Sequence, residues 1–103
     1  MNPDSPHINQ MYSLLAQGRN AHAQQLQGLD DASSNQIDTL ADRADDMLHQ
    51  AMVLHGKKSY RAAHSALSSA ASHIGAIGRL LSNGQVRPMA DSIASSYRRY
   101  HLG

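Results

Sequence analysis

Residues 65–84 read SALSSAASHIGAIGRLLSNG, a stretch in which Leu67, Ile74, Ile77 and Leu81 recur at helical steps while nearly everything between them is Ala, Ser or Gly. Extended to its start, this stripe runs Tyr60, Ala63, Leu67, Ala70, Ile74, Ile77 and Leu81, the spacing of a helix with one buried face. Offset by one residue lies a second stripe of the same period: Ala62, Ala66, Ser69, His73, Ala76 and Leu80. Two adjoining faces fit for burial predict a helix central to a bundle, its small side chains letting neighbouring helices approach closely. The remaining face, Arg61, Ser65, Ser68, Ser72, Gly75 and Arg79, is small and polar and is expected to meet water.

Outward from this helix the punctuation is regular. The segment HGKKS, residues 55–59, offers Gly56 as a C-cap and Ser59 as the N-cap of a helix over 59–82. A turn this short predicts an antiparallel hairpin with the preceding helix, 35–55, whose apolar stripe is Ile37, Leu40, Ala41, Ala44, Met47, Leu48, Ala51 and Leu54. Asn35 and Asp38 stand three apart in the manner of a capping pair at its start. A first helix over 5–28 opens with Ser5 as N-cap and Pro6 at the first helical position, then places Ile8, Met11, Leu15, His22, Leu26 and Leu29 at helical spacing. The segment NGQVRP breaks the chain, and Pro88 is expected to start a last helix over 88–101. The fold class is therefore all-α: a small antiparallel bundle of three to four helices around a central hairpin, one domain spanning 1–103.

Leu, Ile, Val and Phe make up only 18 of 103 residues, at the level of disordered chains, but the net charge of +1 lacks the imbalance that accompanies disorder. The expected product is a folded bundle with a thin core, a condition that association with another chain relieves. Cys is absent, which excludes disulfides, thiolate nucleophiles and Cys-ligated metals. Neither a signal segment nor an apolar run of membrane-spanning length is visible, so a soluble, cytoplasmic chain is expected.

No catalytic signature emerges. Ser is the available nucleophile, yet Glu is absent, no Gly-x-Ser-x-Gly elbow occurs, and the Ser residues lie along a regular helix. Phosphate-cradling glycine loops are missing as well. Among the seven His, the best metal constellation is Asp45 or Asp46 with His49 one turn on, but the following helix supplies no acid to complete a carboxylate-bridged site, and no cofactor is expected. His22, between Leu15 and Leu26, reads as a histidine satisfied at the rim of the core.

Charge divides along the chain. Residues 1–56 hold seven Asp against two Arg, whereas 57–103 hold seven Lys or Arg against one Asp. The plain consequence is an acidic helix packed beside a basic one. Two basic clusters stand out: Lys57, Lys58 and Arg61 at the start of the third helix, and Arg98 and Arg99 in the last, interleaved with Tyr97 and Tyr100. The expected function is that of a non-enzymatic protein-interaction module, an adaptor, inhibitor or structural subunit that self-associates through Ala62, Ala66, Ser69, His73, Ala76 and Leu80. The alternative is nucleic-acid binding through Lys57, Lys58, Arg61, Arg98 and Arg99.

The chain's size and the Leu54-His55-Gly56 turn between two long helices resemble the small secreted helical-hairpin proteins named for a Trp-x-Gly turn. The likeness covers the hairpin alone. Trp is missing and the C-terminal Tyr is not followed by the acidic residue of their export tail, so no function is carried over.

Overall fold

The structure, a computed structural model, describes residues 5–103; residues 1–4, with Asp4 of the acidic half, lie outside the described part. Four helices follow one another: α1 (Pro6–Gln24), α2 (Asp31–Gly56), α3 (Tyr60–Leu80) and α4 (Val86–Leu102), with a 3₁₀ turn at Leu26–Gly28 between the first two. The description is all-α, as the periodicity predicts.

The starts of α1 and α2 follow capping chemistry, whereas Ser59, expected to cap α3, and Gln85 before α4 make no side-chain hydrogen bond to the helices they precede. Ser5 adopts an extended backbone and its Oγ accepts from the Ile8 N–H at 3.3 Å, with Pro6 in the first position, where the missing N–H has no helical partner to lose. Helix α2 begins four residues before the expected Asn35, because Asp30 is the true N-cap: its Oδ1 accepts from the Ser33 N–H at 2.9 Å. Asn35 and Asp38 therefore lie inside the helix and cap nothing. Helix α1 stops at Gln24, since the chain tightens there into the 3₁₀ turn, and Leu26 is left exposed. Helix α4 begins at Val86, so Pro88 sits third in its first turn, still among the N–H groups that a helix leaves unbonded.

The helix ends differ from expectation too. Gly56 is the last residue of α2, and the left-handed position falls on Lys58, with φ of 62°. There the Ser59 N–H donates to the Leu54 carbonyl at 2.9 Å and the Lys58 N–H to His55 at 3.0 Å, a Schellman ending. Helix α3 ends the same way: Ser82 takes φ of 58°, and the Asn83 N–H donates to Gly78 at 2.7 Å.

Helix α3 is central. It packs most extensively on α2, next on α4, while α1 lies across all three. The first stripe is buried from Ala63 to Leu81 against Ile8, Met11 and Leu15 of α1, Ile37, Ala44 and Leu48 of α2, and Ala90 and Tyr97 of α4, all in one core. The polar third face is not left to water throughout: Gly75, and beside that face Gly78, are buried beneath the start of α4. A Cβ built on Gly75 would stand 3.0 Å from Arg87 Cγ, and one on Gly78 only 2.6 Å from Val86 Cβ. Lacking side chains, these two positions let α4 approach closely. Among the described residues no helix is long and apolar enough to cross a membrane.

Candidate functional site

Up-and-down connectivity brings the start of α1, the end of α2, the start of α3 and the end of α4 to one end of the bundle. Six rings meet there: His7, His55, Tyr60, Tyr97, Tyr100 and His101. The His101 ring stacks on Tyr60 at 4.7 Å and 22°, and lies 4.4 Å from Tyr97 and 5.1 Å from His55. His7 meets Tyr97 edge-on at 6.0 Å, and its Nδ1 is buried without a hydrogen-bond partner among the described residues. His55 Nδ1 and the Tyr97 hydroxyl are 2.9 Å apart, a hydrogen bond joining the ends of α2 and α4. Tyr97 is fully buried, whereas Tyr100 is 78% exposed, its ring 4.9 Å from His101.

This packing shapes the chemistry. Burial, reinforced by the nearby His55, lowers the pKa of His7 below that of a free imidazole. His101 shifts the same way, through burial and then the neighbouring His55 and His7. Burial beside Tyr60 pushes the Tyr97 phenol up to about 12.

Around them stand the predicted cations. Lys57, Lys58, Arg61, Arg98 and Arg99 are all exposed, and the two clusters, some forty residues apart in sequence, share this end of the bundle. Arg99 Nη2 donates to Ser96 Oγ at 3.2 Å, and Arg98 lies close enough to His64 to help lower its pKa, after burial. The segments building this end, 5–12, 47–61 and 92–103, contain no Asp or Glu. Among the described residues none of the five cations has an ion-pair partner; the ion pairs formed there are Arg19–Asp42, His22–Asp38 and Arg87–Asp91.

The predicted partner-binding residues lie elsewhere, on the long face that α1 and α4 leave open. Ala66 is buried, Ser69, His73, Ala76 and Leu80 are half-buried, and Ala62 is exposed. Together with Met47, Gln50 and Leu54 of α2, several of them line a shallow trough between α2 and α3. The second stripe is thus partly covered by α2, and its outer rim is open.

Asp45, Asp46 and His49 are exposed on α2, and among the described residues no three potential ligands are grouped closely enough to hold a metal ion. His22 is 9% exposed, its Nε2 2.7 Å from Ser34 Oγ and its Nδ1 3.5 Å from Asp38. It is a satisfied rim residue.

Sequence reasoning isolates Tyr97 and Tyr100 but misses the ring cluster, because His7, His55 and Tyr60 sit on three different helices. The available signal is positional: each falls within about one turn of a helix end that antiparallel connectivity sends the same way. No family model matches the chain, and comparisons with curated proteins and with solved structures give no match.

Proposed function

We propose that this chain is a non-catalytic interaction module that pairs with a second copy through the open α2/α3 face. The observation that carries the reading is the shape of the trough. Its α2 side is bulky, with Met47 and Leu54 half-buried beside Gln50, and its α3 side is small, with Ala62, Ser65, Ala66 and Ser69. A two-fold axis across the face sets the bulky ridge of each copy on the small seam of the other, which is the self-complementarity an isologous contact requires. Two acids of α2, Asp38 and Asp42, are engaged toward α1 by His22 and Arg19.

Size supports the reading as well. A stable contact buries about 800 Å² per partner, and a face of a molecule measuring 43 × 21 × 19 Å has that much to give. Removing it from water would supplement a core short of Leu, Ile and Val.

Sedimentation equilibrium tests the proposal. The expected result is a concentration-dependent dimer that Ser69→Arg with Ala76→Arg converts to a monomer of unchanged helicity. A monomer at every concentration up to the millimolar range would overturn it.

A further inference from the structure

We infer that the cationic end of the bundle binds single-stranded nucleic acid, with phosphates held by Lys57, Lys58, Arg61, Arg98 and Arg99 and a base stacked on Tyr100. The inference is independent of the trough. It rests on a juxtaposition that the fold creates, since two basic clusters from distant segments meet around a packed set of rings.

Five exposed cations on one end of a small domain, with no Asp or Glu in the described segments 5–12, 47–61 and 92–103, form a local positive field that the total charge of +1 conceals. Cations alone attract any polyanion. The feature that selects an unpaired strand is Tyr100, an aromatic ring left 78% exposed while its neighbours Tyr97 and His101 are held in the cluster. An exposed ring backed by fixed rings is a platform on which an unpaired base stacks, whereas the bases of a duplex are already stacked on one another. From this end a shallow groove between α3 and α4 continues past His64, Ser68, Ser95 and Arg98. All four present polar or cationic groups suited to a sugar-phosphate chain. Asp91 closes the far end of the groove, where it pairs with Arg87 at 3.8 Å. A duplex reader, by contrast, inserts a helix or ribbon into a groove, and this end presents the blunt termini of four helices.

Fluorescence anisotropy with oligo-dT, oligo-U, a duplex of equal length and heparin distinguishes the possibilities. Five phosphate contacts on a single strand predict a slope of log K against log salt of about −3.5. Replacing Lys57, Lys58 and Arg61 by Gln is expected to reduce it to about −1.4. Tyr100→Ala, at a position 78% exposed, is expected to weaken oligo-dT and oligo-U binding by at least about fivefold, leave heparin unaffected, and be rescued by Tyr100→Phe. Ser69→Arg with Ala76→Arg should keep the Tyr100→Ala effect on single strands in full, which separates this site from the trough. No binding at low salt would overturn the inference. So would equal affinity for heparin, duplex and single strands with no effect of Tyr100→Ala, which marks mere attraction of polyanions.

Discussion

Gly18 and Gly78 both lie within helices, yet a methyl group at each meets different surroundings. At Gly18 the nearest atom to an added Cβ is Ile77 Cγ2 at 3.5 Å, an ordinary contact, beside a small apolar cavity of about 80 Å³ between α1, α3 and α4. Gly18→Ala is expected to stabilise the fold by about 1 kcal/mol, the helix-propensity difference between the two residues. Gly78→Ala drives its Cβ into Val86 and the Asn83 carbonyl, and overpacking outweighs propensity; a loss of about 1–2 kcal/mol is expected. Urea denaturation of the pair checks both signs, and equal shifts would refute the packing argument. In the ring cluster, Tyr97→Phe deletes the hydrogen bond to His55 and is expected to cost about 1 kcal/mol. The melting temperature should fall by about 4–8 °C, as a domain of this size requires.

Among elements, the helices themselves were legible because bulky residues recur at steps of three and four, and that period survives any error at the ends. Boundaries were harder to read. The segment LDDASSNQ offers Asp30, Asp31, Ser33, Ser34 and Asn35 as capping groups, and the choice between them depends on backbone direction after the 3₁₀ turn, which composition does not encode. Asp30 wins because its backbone is extended, with φ of −73° and ψ of 162°, and its carboxylate reaches Ser33. Its hydrogen bonds to Ser33 hold that carboxyl below the usual Asp range. Asp30→Ala, which removes the bond to the Ser33 N–H, is therefore expected to lower stability, while Asn35→Ala, inside the helix, leaves it unchanged or slightly raised. Circular dichroism melts of the two variants settle which residue caps α2. The polar face of α3 was misread for a related reason: Gly75 looks hydrophilic in a list of residue types, but what decides its environment is the approach of α4.

At the scale of the whole molecule, the candidate site exists only because four termini meet, so it was legible in pieces and not as a whole. The histidines in and beside it give the fold a pH signature. His7, His64 and His101 have pKa values lowered in the folded chain, so the unfolded chain binds more protons as pH falls through about 6.5. Stability is complete above that value and declines below it. His7 faces His55, Tyr97, Tyr100 and His101, and His101 faces Tyr60 as well, whereas His64 faces Ser68 and Arg98 and shares its groove with Asp91, which pairs with Arg87. Urea midpoints at about pH 7.5 and about pH 5.5 should differ, and the difference should shrink when the three residues are changed to Gln. The Schellman endings of α2 and α3 carry this balance between stability and use one step further. Both put a side-chain-bearing residue, Lys58 and Ser82, where the left-handed backbone favours glycine by about 1 kcal/mol. The two turns lie at opposite ends of the bundle and make the same backbone bonds, which turns them into a built-in control experiment. Ser82→Gly should add stability and nothing else, whereas Lys58→Gly should add similar stability while surrendering a cation. For an engineer the first turn is spare capacity and the second is a trade between endurance and grip.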